Sequence, residues 1–336
     1  MNIQAVLDTV RRLAPEGFQA DWDNSGVQVA GPEGDVARVA VTLDPTPEAL
    51  ARCFEWGAQA VVTHHPLYLE PKAPLAGPYL DALSRVIRAE AWLYACHTSL
   101  DCRPHGPAQW FGRALGLTNP VLIEVAHKFP PVQISFFSVE PLEEDTAQEW
   151  ADLDGVWSIS QSSSQEVRIV CDEEAWEGWL RVLVEESLPE RTDFFLRRME
   201  KPYKQVGFGQ VGDLPQPLAW KDFTARLAEL LPGCGWRLVG RAPGRVARVA
   251  YLPGSGGSLM DEAFARGADV FVTGDVRYHQ ALEAPGPVLD VGHFVLEEEM
   301  VRQFSEELAE ALSEEEGAAE VRFFPGADPF AFGGNG

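Results

Sequence analysis

The stretch Arg38-Val39-Ala40-Val41-Thr42-Leu43-Asp44, followed by Pro45, a segment Pro47–Trp56, the pair Gly57-Ala58 and then Ala60-Val61-Val62-Thr63-His64-His65-Pro66, decides the fold. An apolar run of strand length leads into a helical segment that Gly57-Ala58 closes, and a second apolar run follows. Strand–helix–strand order of this kind means parallel strands joined by a helical crossover. The same stretch returns 210 residues later: Arg38 to Thr63 aligns without gaps onto Arg248 to Thr273. The identities are Arg38/Arg248, Val39/Val249, Ala40/Ala250, Phe54/Phe264, Gly57/Gly267, Ala58/Ala268, Val62/Val272 and Thr63/Thr273, all at strand or helix-end positions. The echo extends further. His97 precedes Asp101 by four residues and His293 precedes Glu297 by four, each pair just beyond the next apolar strand of its half. The sequence therefore predicts two copies of one α/β unit facing each other.

Outward from this stretch, Ile3, Leu7, Val10 and Leu13 carry helical spacing that stops near Pro15 and Gly17. A helix near Tyr79–Glu90 leads to a strand at Trp92–Cys96. Between the halves, strands are expected at Val132–Val139, Val156–Ile159, Glu166–Cys171 and near Phe194–Phe195. Helices are expected at Glu143–Asp152 and Glu174–Glu186. That order, βαββαβ, is the split βαβ or ferredoxin-like arrangement. The expected class is α/β, with two similar α/β halves (residues 1–128 and 206–336) forming one metal-binding core and an inserted ferredoxin-like α+β domain (residues 129–205). The insert contains no histidine, which directs the search for chemistry to the halves.

Composition bounds the function. The chain has 336 residues, more than one hydrophobic core usually serves. With 46% apolar and 23% charged residues it is neither disordered nor fibrous. Its 27 basic and 51 acidic side chains give a net charge of −24, which repels DNA, RNA and anionic lipid. No basic stripe offsets this; the longest basic groups are Arg11-Arg12 and Arg197-Arg198. An anionic small molecule would need a positive group held locally, and a metal is the obvious one. The five scattered cysteines contain no CxxC pair and read as reduced thiols in a cytosolic protein. Met1–Val6 carries no secretory signal, and no apolar run approaches the roughly 18–20 residues that span a bilayer. The expectation is a soluble cytoplasmic protein with no membrane partner.

His64 and His65 stand at the carboxyl end of a parallel strand, the edge where ligands collect in open α/β sheets. Neighbouring strand residues point to opposite faces, so the two reach one metal only if the chain turns before Pro66, or else serve different metals. One core and one exposed histidine is the simpler alternative. Asp101 lies in a polar segment beyond the strand Trp92–Cys96, where it is a hard oxygen ligand or merely a cap. A helix starting near Phe294 would put His293 and Glu297 one turn apart on one face, able to chelate together. Alternatively, Glu297–Glu299 supplies negative charge to the helix amino terminus. Singly, each of these alternatives stands; jointly they fail, because five candidate ligands occupy strand ends in two echoing halves. Three imidazoles and two carboxylates without a thiolate suit zinc, iron, manganese, cobalt or nickel. Paired ions about 3.5–4 Å apart, as hydrolases arrange them, acidify water and clamp a phosphoryl or carbonyl oxygen.

Six stretches then resemble one family: Trp22–Val29, Val61–Pro66, His97–Asp101, Gly207–Gly212, Thr273–His279 and Asp290–Glu297. Together they are similar to the NIF-three-like dinuclear metal-centre hexamers, also named GTP cyclohydrolase I type 2 homologues. The resemblance implies two divalent metal ions per subunit on His64, His65, Asp101, His293 and Glu297, and a toroidal homohexamer. It covers both halves but not the insert. His97, the echo partner of His293, ranks nearer second tier than ligand. His279 and His97 are the candidates for acid–base or substrate-binding roles, and Asn24 and Asp44 for lining the cleft. Two functions follow: a metal-dependent hydrolase of a phosphoester or nucleotide, or a non-catalytic metal-binding, regulatory hexamer. No P-loop GxxxxGK[ST] occurs, so guanine-nucleotide chemistry rests on the family label alone.

Overall fold

The computed structural model describes residues 1–70, 76–138, 140–153, 155–188, 193–315 and 317–330. Val139, expected at a strand end, lies outside them. The chain divides into two compact units, Met1–Ala126 with Val206–Gly336, and His127–Gln205. The mixed α/β class expected from the sequence is borne out, with several sheets.

The first unit contains two sheets. One is ordered Gly26–Val29, Trp92–Ala95, Ala60–Thr63, Arg38–Thr42, Glu320–Phe323, with all pairs parallel except the first. The other is ordered Arg237–Val239, Val288–Asp290, Val270–Gly274, Arg245–Ser255, Lys204–Ala219, Thr118–Phe129. Its strands Arg245–Ser255, Val270–Gly274 and Val288–Asp290 run parallel. The pairing Val39↔Ala60 in the first sheet and Val249↔Val270 in the second occupy the same places in the gapless alignment.

Strand periodicity explains how these sheets share a core. Successive side chains point to opposite faces. Val39, Val41, Ala60 and Val62 join Val249, Tyr251, Val270 and Val272 in one apolar cluster. The intervening Ala40 and Val61 pack with Leu50, Cys53 and Val86 in a second cluster, and Ala250 and Phe271 with Met260 and Ala263 in a third. Strands buried on both faces must be apolar throughout, as Ala60-Val61-Val62-Thr63 is. The helix His293–Ser313 contributes to the shared cluster through Leu296, Met300, Phe304, Leu308 and Leu312, four residues apart, with Val301 next to Met300. Each such large apolar side chain stabilises the fold by about 1.5–3 kcal/mol when fully buried. Because the helix is buried, so is Glu297 on its second turn, at 4% exposure.

The second unit has a four-stranded sheet, Val156–Gln161, Glu166–Cys171, Val132–Phe137, Phe195–Arg198, every pair antiparallel. One side carries the helix Glu144–Ala151 and the run Glu173–Ser187, whose middle turn, Trp176–Leu180, widens to a π-helix. Trp150, Leu180 and Val184 from these helices pack on Ile134, Phe136 and Ile169. Among the described residues no helix is long and apolar enough to cross a membrane.

Candidate metal centre

The carboxyl ends of parallel strands from both sheets meet the amino terminus of the helix His293–Ser313. The strand Ala60–Thr63 delivers His64 and His65, and the chain bends there, so that both rings turn to the same region with centroids 4.9 Å apart. Trp92–Ala95 leads into the short helix His97–Asp101, which carries His97 and Asp101 at its two ends. His293 and Glu297 lie one turn apart, with Nε2 and Oε2 separated by 2.7 Å. The Nε2 atom of His65 is 3.2 Å from Glu297 Oε2, and that of His64 is 3.7 Å from Glu297 Oε1 and 3.8 Å from Asp101 Oδ1.

Two groups of ligand atoms result. His64, His65 and His97 form one and His65, His293 and Glu297 the other, each with its atoms within 4.8 Å of one another. His97, ranked second tier from the sequence, thus stands among the imidazoles, its ring centroid 5.3 Å from that of His64 and 5.6 Å from that of His65.

Three of the imidazoles are held by a carboxylate at Nδ1: His65 by Asp44 at 2.7 Å, His97 by Asp23 at 2.5 Å and His293 by Asp275 at 2.9 Å. A carboxylate there fixes the proton on Nδ1 and leaves the Nε2 lone pair facing inward, the arrangement that metal-ligating histidines adopt. Asp23 and Asp275 were not singled out by the sequence reading, although both sit inside the stretches Trp22–Val29 and Thr273–His279. Asp23 also accepts from the Thr98 backbone N–H at 3.0 Å and so ties the loop to the helix start.

The inward atoms lack partners. His64 Nδ1 and Nε2, Asp101 Oδ1, His293 Nε2 and Glu297 Oε2 are buried and make no hydrogen bond among the described residues. The 2.7 Å approach of His293 to Glu297 is close enough for charge pairing but is not aligned as a hydrogen bond. Buried polar atoms without partners cost about 1–3 kcal/mol each, more when charged, so a cluster of them calls for a cation. The donor set of imidazole nitrogens and carboxylate oxygens fits a divalent transition ion.

Electrostatics agree. Burial and the neighbouring Glu297 charge push the Asp101 carboxyl well above the usual range. Burial opposes ionisation of Glu297 as well, but His64, His293 and His65 around it hold its carboxyl well below that range. Burial lowers His64 to about 4, keeping it neutral. For His65 and His293 burial also works downward, but Asp44 and Glu297 lift the first to about 10, and Glu297 and Asp275 lift the second to about 9. Protons on these two rings neutralise Glu297, and a divalent cation could take their place.

Close backbone approach is required at two glycines. A Cβ on Gly254, where φ is +70°, would lie 2.2 Å from Glu297 Oε1. A Cβ on Gly274 would lie 2.6 Å from the backbone nitrogen of His293.

Asp44 and His65 border a cavity of about 750 Å³, together with Asp275 and His293. Asn24 does not border it; its Nδ2 donates to the Tyr68 carbonyl at 2.9 Å and to Gln28 Oε1 at 3.3 Å, a structural tie. His279 is exposed on the helix Tyr278–Glu283, its ring against Tyr278, and belongs to neither imidazole group.

The family model for Duf34/NIF3 (NGG1p interacting factor 3) matches residues 1–329. A protein of Staphylococcus aureus (strain MRSA252) named GTP cyclohydrolase 1 type 2 homolog is 26% identical over 328 residues, spanning 88% of this chain and 89% of that one. A Halalkalibacterium halodurans protein of the same name is 26% identical over 369 residues, spanning 98% and 99%. The crystal structure of a Bacillus cereus protein related to NIF3 superimposes with a TM-score of 0.85 at 23% identity, covering 99% of each chain.

Proposed function

The chain belongs to the Duf34/NIF3 family, and on that premise we propose that it is a dinuclear divalent-metal protein acting as a hydrolase on a phosphoester or nucleotide. One observation carries the reading: the inward-facing nitrogens and oxygens of His64, Asp101, His293 and Glu297 are buried without partners, while aspartates hold the far side of three imidazoles. His65 has one inward lone pair, at Nε2, and serves one ion; a pair of ions is supported by the number of donors around one space, more than a single tetrahedral ion takes. The ligands are His64, His65, Asp101, His293 and Glu297, with His97 as a sixth.

When bound, such ions supply Lewis acidity toward a phosphoryl or carbonyl oxygen. This chain's residues position that chemistry. Asp44, Asp23 and Asp275 orient the rings, and the buried helix carrying Glu297 keeps its carboxylate from water. Of the two second-tier candidates, His97 joins the ligands, and His279 stays a candidate for substrate contact only.

The finer architecture belongs to the same proposal. The matched registers of the two sheets support two copies of one α/β unit, residues 1–128 and 206–336. The strand order of the second unit supports a ferredoxin-like insert over 129–205. A homohexamer and a cytoplasmic location complete the reading, by analogy with the family.

The test is elemental analysis of untagged protein, followed by assay of the metal-loaded enzyme against a panel of phosphoesters and nucleotides. Turnover that disappears in His65→Ala is the expected result. No turnover with any of the five metals would reject the hydrolase and leave a metal-binding, regulatory protein.

A further inference from the structure

The cavity beside His65 and His293, about 750 Å³ in volume, falls in the size range of small-molecule sites. Its wall is strongly acidic: Asp44, Asp275, Asp290 and Asp328 all border it, Asp290 from a buried position. Two of these are engaged by imidazoles, Asp44 by His65 and Asp275 by His293. Among the described residues that border the cavity there is one arginine, Arg237, and no lysine.

Arg237 is built in, not loosely placed. It opens the strand Arg237–Val239 directly across from Asp290 in the antiparallel register. Its Nη2 pairs with the Asp290 carboxylate and reaches the Val276 carbonyl at 3.4 Å. Asp290, 4% exposed, also accepts from the backbone N–H groups of Val276 at 3.2 Å and Gly292 at 3.1 Å. Nη2 of the guanidinium is thereby pinned. The rest is open: the side chain is 69% exposed, and Nε and Nη1 donate to nothing among the described residues. Nε–H and Nη1–H can each donate a charge-assisted hydrogen bond to an oxyanion, while both two-nitrogen edges of the fork include the Nη2 that Asp290 holds.

The same wall includes Gly292, His293, Phe294 and Val295, the start of the 21-residue helix, which no side chain caps. Its amide donors and positive dipole end reinforce attraction for an anion. In a chain of net charge −24, a cationic side chain anchored at one nitrogen beside the metal ligands is a feature that generic surface charge does not explain.

We propose that this cavity binds a small molecule through a phosphate group that accepts from the unengaged N–H groups of Arg237, with the remainder of the molecule directed toward His65 and His293. Leu43, Phe294 and Pro329 supply the apolar contact. The inference deepens the hydrolase reading by naming a recognition group on its ligand, and it rests on that reading only for what happens at the metal end.

The test is calorimetric titration of inorganic phosphate into the metal-loaded full chain, with metal content measured on the same samples. Arg237→Gln is expected to weaken phosphate binding about 10- to 100-fold at unchanged metal content, the size of a charge-assisted hydrogen-bonded contact. Because that variant leaves Asp290 buried and unpaired, the double variant R237Q/D290N removes both charges and is expected to fold and show the same loss. Phosphate binding in either folded variant equal to that of the unsubstituted chain would overturn the proposal, as would no binding by the unsubstituted chain. If the protein carries no metal, the metal reading fails, while Arg237-dependent phosphate binding by that metal-free chain would still support this one.

Discussion

His64 and Glu297, from opposite ends of the chain, meet with Nε2 and Oε1 3.7 Å apart and both side chains almost fully buried. The first follows a strand of one sheet and the second lies on the helix packed against both sheets, so the pair forms only when chain segments more than 200 residues apart come together. Glu297 is also the only carboxylate in the two groups of ligand atoms.

Replacement of Glu297 by alanine should therefore strip most of the bound metal while the fold survives, since His65 and His293 can release their protons once its charge is gone. Elemental analysis against the unsubstituted chain checks this, with circular dichroism as the folding control. Unchanged stoichiometry would remove Glu297 from the ligand set.

The aspartates behind the rings should matter nearly as much. Asp275→Asn keeps size and hydrogen-bonding capacity but no longer holds a negative charge against His293 Nδ1. Such second-layer partners are typically worth 10- to 100-fold in metal affinity. Competition titration with a chelator should show a loss of about that size, with stability little altered. Equal affinity would make the Asp275–His293 contact purely structural.

Metal affinity should climb with pH. In the metal-free protein His65 and His293 are raised to about 10 and about 9, by Asp44 with Glu297 and by Glu297 with Asp275, against burial. A metal must displace those protons, so affinity should rise by up to about tenfold per pH unit for each proton lost, levelling off only above about pH 9–10. The stability of the metal-free protein runs the other way. The contribution of the two raised imidazoles is fully present below their ordinary pKa of about 6.5 and is lost as pH climbs through about 9 and then about 10. Dissociation constants and melting temperatures between about pH 6 and pH 10 check both. A flat affinity profile would mean that the rings are already neutral.

Much of this was legible from the residues themselves. The apolar runs Val39–Leu43 and Ala60–Thr63, separated by a helical segment, could only be buried parallel strands, and the α/β class followed. The four-residue spacing of His293 and Glu297 was readable because a helix repeats every 3.6 residues. The strands Thr118–Phe129 and Lys204–Ala219 were not readable. Pro120, Gly207, Gly209, Gly212, Pro215 and Pro217 argue against strand on local grounds, and only pairing with neighbours overrides them. Nor could sequence rank His97. Its place is set by Asp23, 74 residues earlier, a contact that exists only after the loop has folded over the short helix His97–Asp101. Arg237 was invisible for a related reason: its meaning comes from standing across the sheet from Asp290.

Gly254 offers a steric check that replaces no ligand. Alanine there would strain a backbone at φ +70° and drive its Cβ to 2.2 Å from Glu297 Oε1. A loss of about 1–3 kcal/mol in stability is expected from the backbone alone, together with weakened metal binding because Glu297 must move. Chemical denaturation and chelator competition read the two effects separately. A variant with unaltered metal affinity would show that the carboxylate position is not critical.

The most direct measurement is anomalous diffraction at the absorption edge of a bound divalent metal, collected from crystals of the metal-loaded chain. The account predicts two peaks enclosed by His64, His65, His97, Asp101, His293 and Glu297. Full loading with the peaks elsewhere, or a cluster that stays empty at saturating metal, would contradict it.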